Sequence, residues 1–147
     1  MEDMQWEDAA LRDLLRSTRT IAVLGIKQGD ADDAFRVPRY LQAQGYRILP
    51  VNPKLETVLG EPVAKHLAGV AEPYQLLNVF RAAAHLPGHV DEILALEHRP
   101  RAVWFQLGIR DDASAARLAE HGIAVVQDRC LMVEHRRLLG PVAADAP

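Results

Sequence analysis

Thr20-Ile21-Ala22-Val23-Leu24-Gly25-Ile26 is a continuous apolar run, short, β-branched and punctuated by a glycine. Such a run fits a strand covered on both faces, the kind that builds parallel sheets, rather than an in/out alternating edge. Upstream, Trp6, Leu11, Leu14 and Leu15 form one face of a helix over residues 7–17. Downstream, Val37, Tyr40 and Leu41 return at helical spacing, and Gly45 closes that helix as a left-handed residue past its end. Further strands are expected at 46–51, 76–80, 102–107 and 123–127. Helices are expected at 88–97 behind Pro87, from Asp111 and Asp112 to Gly122, and over 131–139. Strands alternating with helices predict a Rossmann-like, doubly wound α/β fold. Its parallel five-stranded sheet would lie between helices in three layers, with strand order 3-2-1-4-5.

The chain has 147 residues, enough for one domain with a sizeable core and no covalent staple. Residues 1–139 read as a single domain, and 140–147, small and proline-containing, as a flexible tail. A net charge of -3 gives no electrostatic footprint for general nucleic-acid binding. The single cysteine, Cys130, has no internal disulfide partner and rules out a zinc site of two thiolates within one chain. No apolar stretch is long enough to span a membrane, and the acidic N-terminus is unlike a secretion signal. The expected setting is the cytoplasm.

Doubly wound sheets bind ligands outside the carboxyl ends of their strands. Strand one ends in Gly25-Ile26-Lys27-Gln28-Gly29, where a glycine allows a sharp turn towards a phosphate held by the next helix. The G-x-G-x-x-G spacing and the Walker motif are both absent, so a plain turn stays open as the alternative. At the end of strand two, Asn52-Pro53-Lys54 stands where an NAD site would put a carboxylate on the ribose. A cation there suits a phosphorylated ribose, as in NADP or coenzyme A. Only three lysines accompany fourteen arginines, and Lys27 and Lys54 both fall at strand ends. Arg36 and Arg81 can add bidentate contacts.

Several motifs carry a resemblance in order and spacing: Gly45 to Pro53 (GYRILPVNP), Val103 to Ile109 (VWFQLGI), Asp128-Arg129-Cys130, and Glu134 to Leu138 (EHRRL). Over residues 14–139 the chain resembles the stand-alone CoA-binding domain family. That family is similar in fold to the CoA-binding domain of the succinyl-CoA synthetase α-subunit. The resemblance implies coenzyme A, or an acyl-CoA, bound at the carboxyl edge of the sheet. It places Gly25, Ile26 and Lys27 in the first phosphate loop and Asn52, Pro53 and Lys54 in the adenosine-side loop. Val79, Phe80 and Arg81 match the end of strand three, and Gln106 and Leu107 the end of strand four. Asp30, Asp32 and Asp33 depart from the basic, proline-containing loop common in the family.

Other constellations are set aside. An EF-hand starting at Asp30 would need a glutamate where Leu41 stands, so the aspartates read as helix caps. Pro87-Gly88 interrupts the His85/His89 pair as metal ligands, and no metal site is expected. Cys130 and His135 lack an orienting third group, so Cys130 reads as a small buried thiol. A phospho-receiver would need acids after strand one and an aspartate ending strand three, where Gly25-Ile26 and Phe80-Arg81 stand. The expected function is therefore a binding module without catalytic machinery, the alternative being a small NADP-dependent oxidoreductase. Self-association and an unidentified protein partner stay open.

Overall fold

A computed structural model describes residues 6–140. All but Gly140 of the expected tail, 140–147, lies outside the described residues. Gly140 itself, at φ +72°, closes the last helix, its N–H donating to the carbonyls of His135 and Arg136.

The elements run α1 (Asp8–Ser17), β1 (Thr20–Leu24), α2 (Asp33–Ala43), β2 (Arg47–Val51), β3 (Thr57–Val58) and β4 (Glu61–Pro62). There follow β5 (Leu76–Val79), α3 (Leu86–Leu94), β6 (Ala102–Phe105), α4 (Asp112–Glu120), β7 (Ala124–Val126) and α5 (Leu131–Leu138). The main sheet is five-stranded and parallel, and helices cover both its faces. Leu11, Leu15, Val37, Leu41 and Leu131 from α1, α2 and α5 pack on one side against Ile21, Val23, Ile48, Trp104 and Val126. Leu86, Val90, Ile93 and Leu118 from α3 and α4 pack on the other against Leu24, Val51, Leu77, Val79 and Phe105. The apolar runs thus form strands dry on both faces, as in a doubly wound sheet.

The strand order corrects the expectation. It is β2-β1-β5-β6-β7, or 2-1-3-4-5 among the five main strands, rather than 3-2-1-4-5. The reason lies in Pro50. The even-numbered residues of β2 face away from β1, and a proline there offers no N–H to a third strand. Among the described residues the outer side of β2 is bridged by one residue, Ala64, which donates to the Pro50 carbonyl at 3.0 Å and accepts from the Asn52 N–H at 2.9 Å. The chain between β2 and β5 also forms the short β3/β4 hairpin, which the sequence reading leaves irregular. Its turn places Leu59 at φ +54° and Gly60 at φ +77°, the twist that two-residue hairpins favour.

Between α2 and α5, His135 is buried, with Nδ1 2.9 Å from the Tyr40 hydroxyl and its ring edge-on to Tyr40 and Tyr46. The Tyr46 hydroxyl donates to the Leu15 carbonyl at 2.7 Å and joins α1 to this cluster. Burial lowers the His135 pKa below its ordinary value of 6.5. The unfolded chain therefore takes up this proton first, so stability present above pH 6.5 declines as pH falls through the folded value. We expect urea midpoints to drop between pH 7 and pH 5, and His135→Phe to flatten that slope. An unchanged slope in the variant would assign the acid sensitivity elsewhere.

Candidate functional site at the switch point

In this strand order the chain reverses direction across the sheet between β1 and β5, which opens a crevice outside their carboxyl ends. A cleft of about 230 Å³ lies there, lined by Lys27, Asp32, Asp33 and Ala34 from the first loop and α2. Phe80, Arg81 and Ala82 after β5, Gln106, Leu107 and Ile109 after β6, and Cys130 before α5 complete it.

The first loop is shaped by local sequence. Gly25 adopts φ +86° and donates to the Val51 carbonyl at 3.0 Å. Pro38 inside α2 has no N–H for the carbonyl four residues back, that of Ala34. The Lys27 N–H takes that carbonyl instead, at 3.2 Å, which pins the loop to the first turn of α2. Asp32 caps the helix, its Oδ1 accepting from the Ala34 N–H at 2.9 Å, as the capping reading expects. The Lys27 ammonium stands 3.6 Å from the Asp32 carboxylate. Arg36 bonds the Asp30 carbonyl and the Asp33 carboxylate, and Arg39 pairs with Asp30 at 2.6 Å. The cations and anions of this loop therefore compensate one another. Arg36 is turned to its own loop and does not line the cleft.

Asn52 braces the second loop. Its Nδ2 donates to the Ile26 carbonyl at 2.7 Å, and its Oδ1 accepts from the Lys54 N–H at 2.7 Å. The loops after β1 and β2 are thereby tied together, with Pro53 and Lys54 exposed beside the cleft rather than in it. Ile26 and Val79 are core residues whose side chains are fully buried, so they shape the site through their backbone. After β5, Arg81 lies beside Gly25 and donates through Nε to His89 Nε2 at 3.2 Å. Gln106 is buried, and its Oε1 accepts from Asn78 Nδ2 and from the Leu131 N–H, both at 3.3 Å. It therefore serves the first turn of α5, where no side-chain cap is present. Leu107 is 64% exposed at the cleft edge.

Cys130 departs from the expected fully buried thiol: it is partly buried, packed against the core while lining the cleft. Its imagined partner His135 is engaged with Tyr40. No group of three or more metal-ligating side chains occurs among the described residues. No helix among them is long and apolar enough to cross a membrane.

A family model described as a CoA binding domain matches residues 19–136, from the start of β1 to within α5. The chain belongs to the CoA-binding domain family. It is similar to the uncharacterized protein YneT of Bacillus subtilis (strain 168), 32% identical over 86% of this chain and 93% of YneT. The structure of cell-free ID.343 from Thermus thermophilus is 46% identical with a TM-score of 0.86, covering 91% of this chain and 100% of that one. A hypothetical protein from Pyrococcus horikoshii OT3 is 29% identical with a TM-score of 0.86, covering 95% and 100%. The cleft is also lined by Asp32, Asp33, Ala34, Ala82, Ile109 and Cys130, none of which the sequence analysis counts among its ligand-binding candidates. Pro38 was the available signal for the first loop, since an interior proline leaves a carbonyl for some other donor.

Proposed function

We propose that the chain binds coenzyme A or an acyl-CoA in the switch-point cleft and performs no chemistry on it. The observation that carries this reading is the make-up of the cleft, considered together with the family. Lys27 and Arg81 supply cations to the wall, and Leu107, Ile109 and Phe80 supply apolar surface. A ligand that carries both phosphates and a long, weakly polar arm suits that mixed lining. Asp32 and Asp33 work against an anion, so affinity rests on Arg81 and Lys54 more than on the first loop. Lys54 favours a ligand with a phosphorylated ribose over NAD. Calorimetric titration with CoA, acetyl-CoA, dephospho-CoA, NADP and NAD tests the reading. CoA or its thioester should bind tightest, and preferential NAD binding would overturn it.

The absence of catalysis is tested at the one thiol on the wall. Cys130→Ser should leave CoA affinity within about twofold and lower stability only slightly, since serine nearly matches cysteine in size. A trapped thioester on Cys130, seen by mass spectrometry after incubation with acetyl-CoA, would show an enzyme instead.

A further inference from the structure

We infer that His89 and Glu92 form a positioning device that holds the Arg81 guanidinium ready for the phosphate oxygens of the ligand; the inference rests on the CoA reading above. Arg81 donates through Nε to His89 Nε2 at 3.2 Å, and His89 Nδ1 lies 2.5 Å from Glu92 Oε1. Arginine can only donate, so Nε2 must offer a lone pair and the imidazole proton must sit on Nδ1. Glu92 fixes that tautomer by accepting the Nδ1 proton, as a carboxylate does behind a metal-bound histidine. The two residues lie one helical turn apart on α3, so the device stands on a helix rather than a loop. The His89 side chain is 19% exposed, sheltered enough for its ring orientation to be defined.

The geometry sets what Arg81 can do. With Nε engaged, the plane of the fork is fixed, and the donors left to meet a ligand are those on Nη1 and Nη2. The stem of Arg81 runs beside Gly25, its Cδ 3.2 Å from where a Cβ at that position would stand. A long cation free to rotate loses that freedom on binding, and one already held does not. His89 therefore acts through Arg81 without touching the ligand. Sequence reading weighs His89 only as a metal ligand with His85. The structure gives it this other employment.

The test is calorimetric, on the full chain. His89→Leu removes the acceptor and should weaken CoA binding by about five- to tenfold. His89→Gln keeps an oxygen acceptor and should stay within about twofold of the unmodified chain. Glu92→Ala, on a more exposed side chain, releases the tautomer and should fall between the two. In an Arg81→Ala background, His89→Leu should cost nothing further, because the group it positions is gone. A merely structural histidine would give the same loss in both backgrounds, and that additivity would overturn the positioning role. So would equal losses for the Leu and Gln variants. Failure of the unmodified chain to bind CoA would overturn the functional reading itself, an outcome separate from additivity in a chain that binds.

Discussion

Gly25→Ala is expected to destabilise the protein by about 2–4 kcal/mol, far more than the same change at Gly29. Both glycines have positive φ, +86° and +111°, so alanine is strained at either site by about 1 kcal/mol. Their surroundings separate them. A Cβ at Gly25 would stand 2.5 Å from the Phe80 carbonyl oxygen and 3.1 Å from its carbon, whereas at Gly29 nothing lies within 4 Å. The obstruction is backbone, and that backbone cannot easily yield. The Phe80 N–H donates to the Leu24 carbonyl at 2.8 Å, which joins β1 and β5 beside the clash. Relief would require the two strands to part at the switch point, at an overpacking cost of about 1–3 kcal/mol. Urea unfolding of both variants measures the difference. Equal midpoint shifts would mean that the approach of β1 to Phe80 is looser than the geometry indicates. CoA affinity should fall with Gly25→Ala as well, because Lys27 and Arg81 flank that approach.

The sequence made the layers legible because burial on both strand faces writes an apolar run, and α2 and α4 each end at a glycine. Gly45 and Gly122 both take positive φ after their helices, as the reading of α2 and α4 required. Strand order was less accessible. Choosing a neighbour for the third strand depends on hydrogen-bonding edges, and periodicity is blind to those. Pro50 carried the decisive information. It marks β2 as an edge, a signal overlooked because the strand reads as an otherwise ordinary buried run. At the site, Lys27, Phe80, Arg81, Gln106 and Leu107 share one cleft because all follow adjacent strands. Arg36 shows the limit. Its place at the mouth of α2 was readable, but its engagement by Asp30 and Asp33 depends on how the loop folds back.

Lys54→Ala is expected to weaken CoA binding by about tenfold while leaving dephospho-CoA within about twofold. Of the three lysines, Lys27 leans on Asp32 and Lys65 on Glu56, whereas Lys54 has no ion-pair partner among the described residues. Its backbone is nonetheless fixed. The Asn52 side chain accepts from the Lys54 N–H and reaches across to the Ile26 carbonyl, so the ammonium projects from an anchored loop. A phosphate monoester carries about 1.5 to 2 negative charges near neutral pH, and lysine meets it as a point charge. Charge-assisted hydrogen bonds are worth roughly 1.5–3 kcal/mol, and an exposed pair takes the low end because water and salt screen it. The tenfold expectation follows from that lower figure. Dephospho-CoA lacks the 3′-phosphate but keeps the rest of the molecule, so comparing the two ligands separates the contact from general damage to the fold. Raising the salt concentration should shrink the difference further. Equal losses for both ligands would move Lys54 from the ribose phosphate to the diphosphate. An unchanged affinity for both would leave the preference for phosphorylated ribose without its residue.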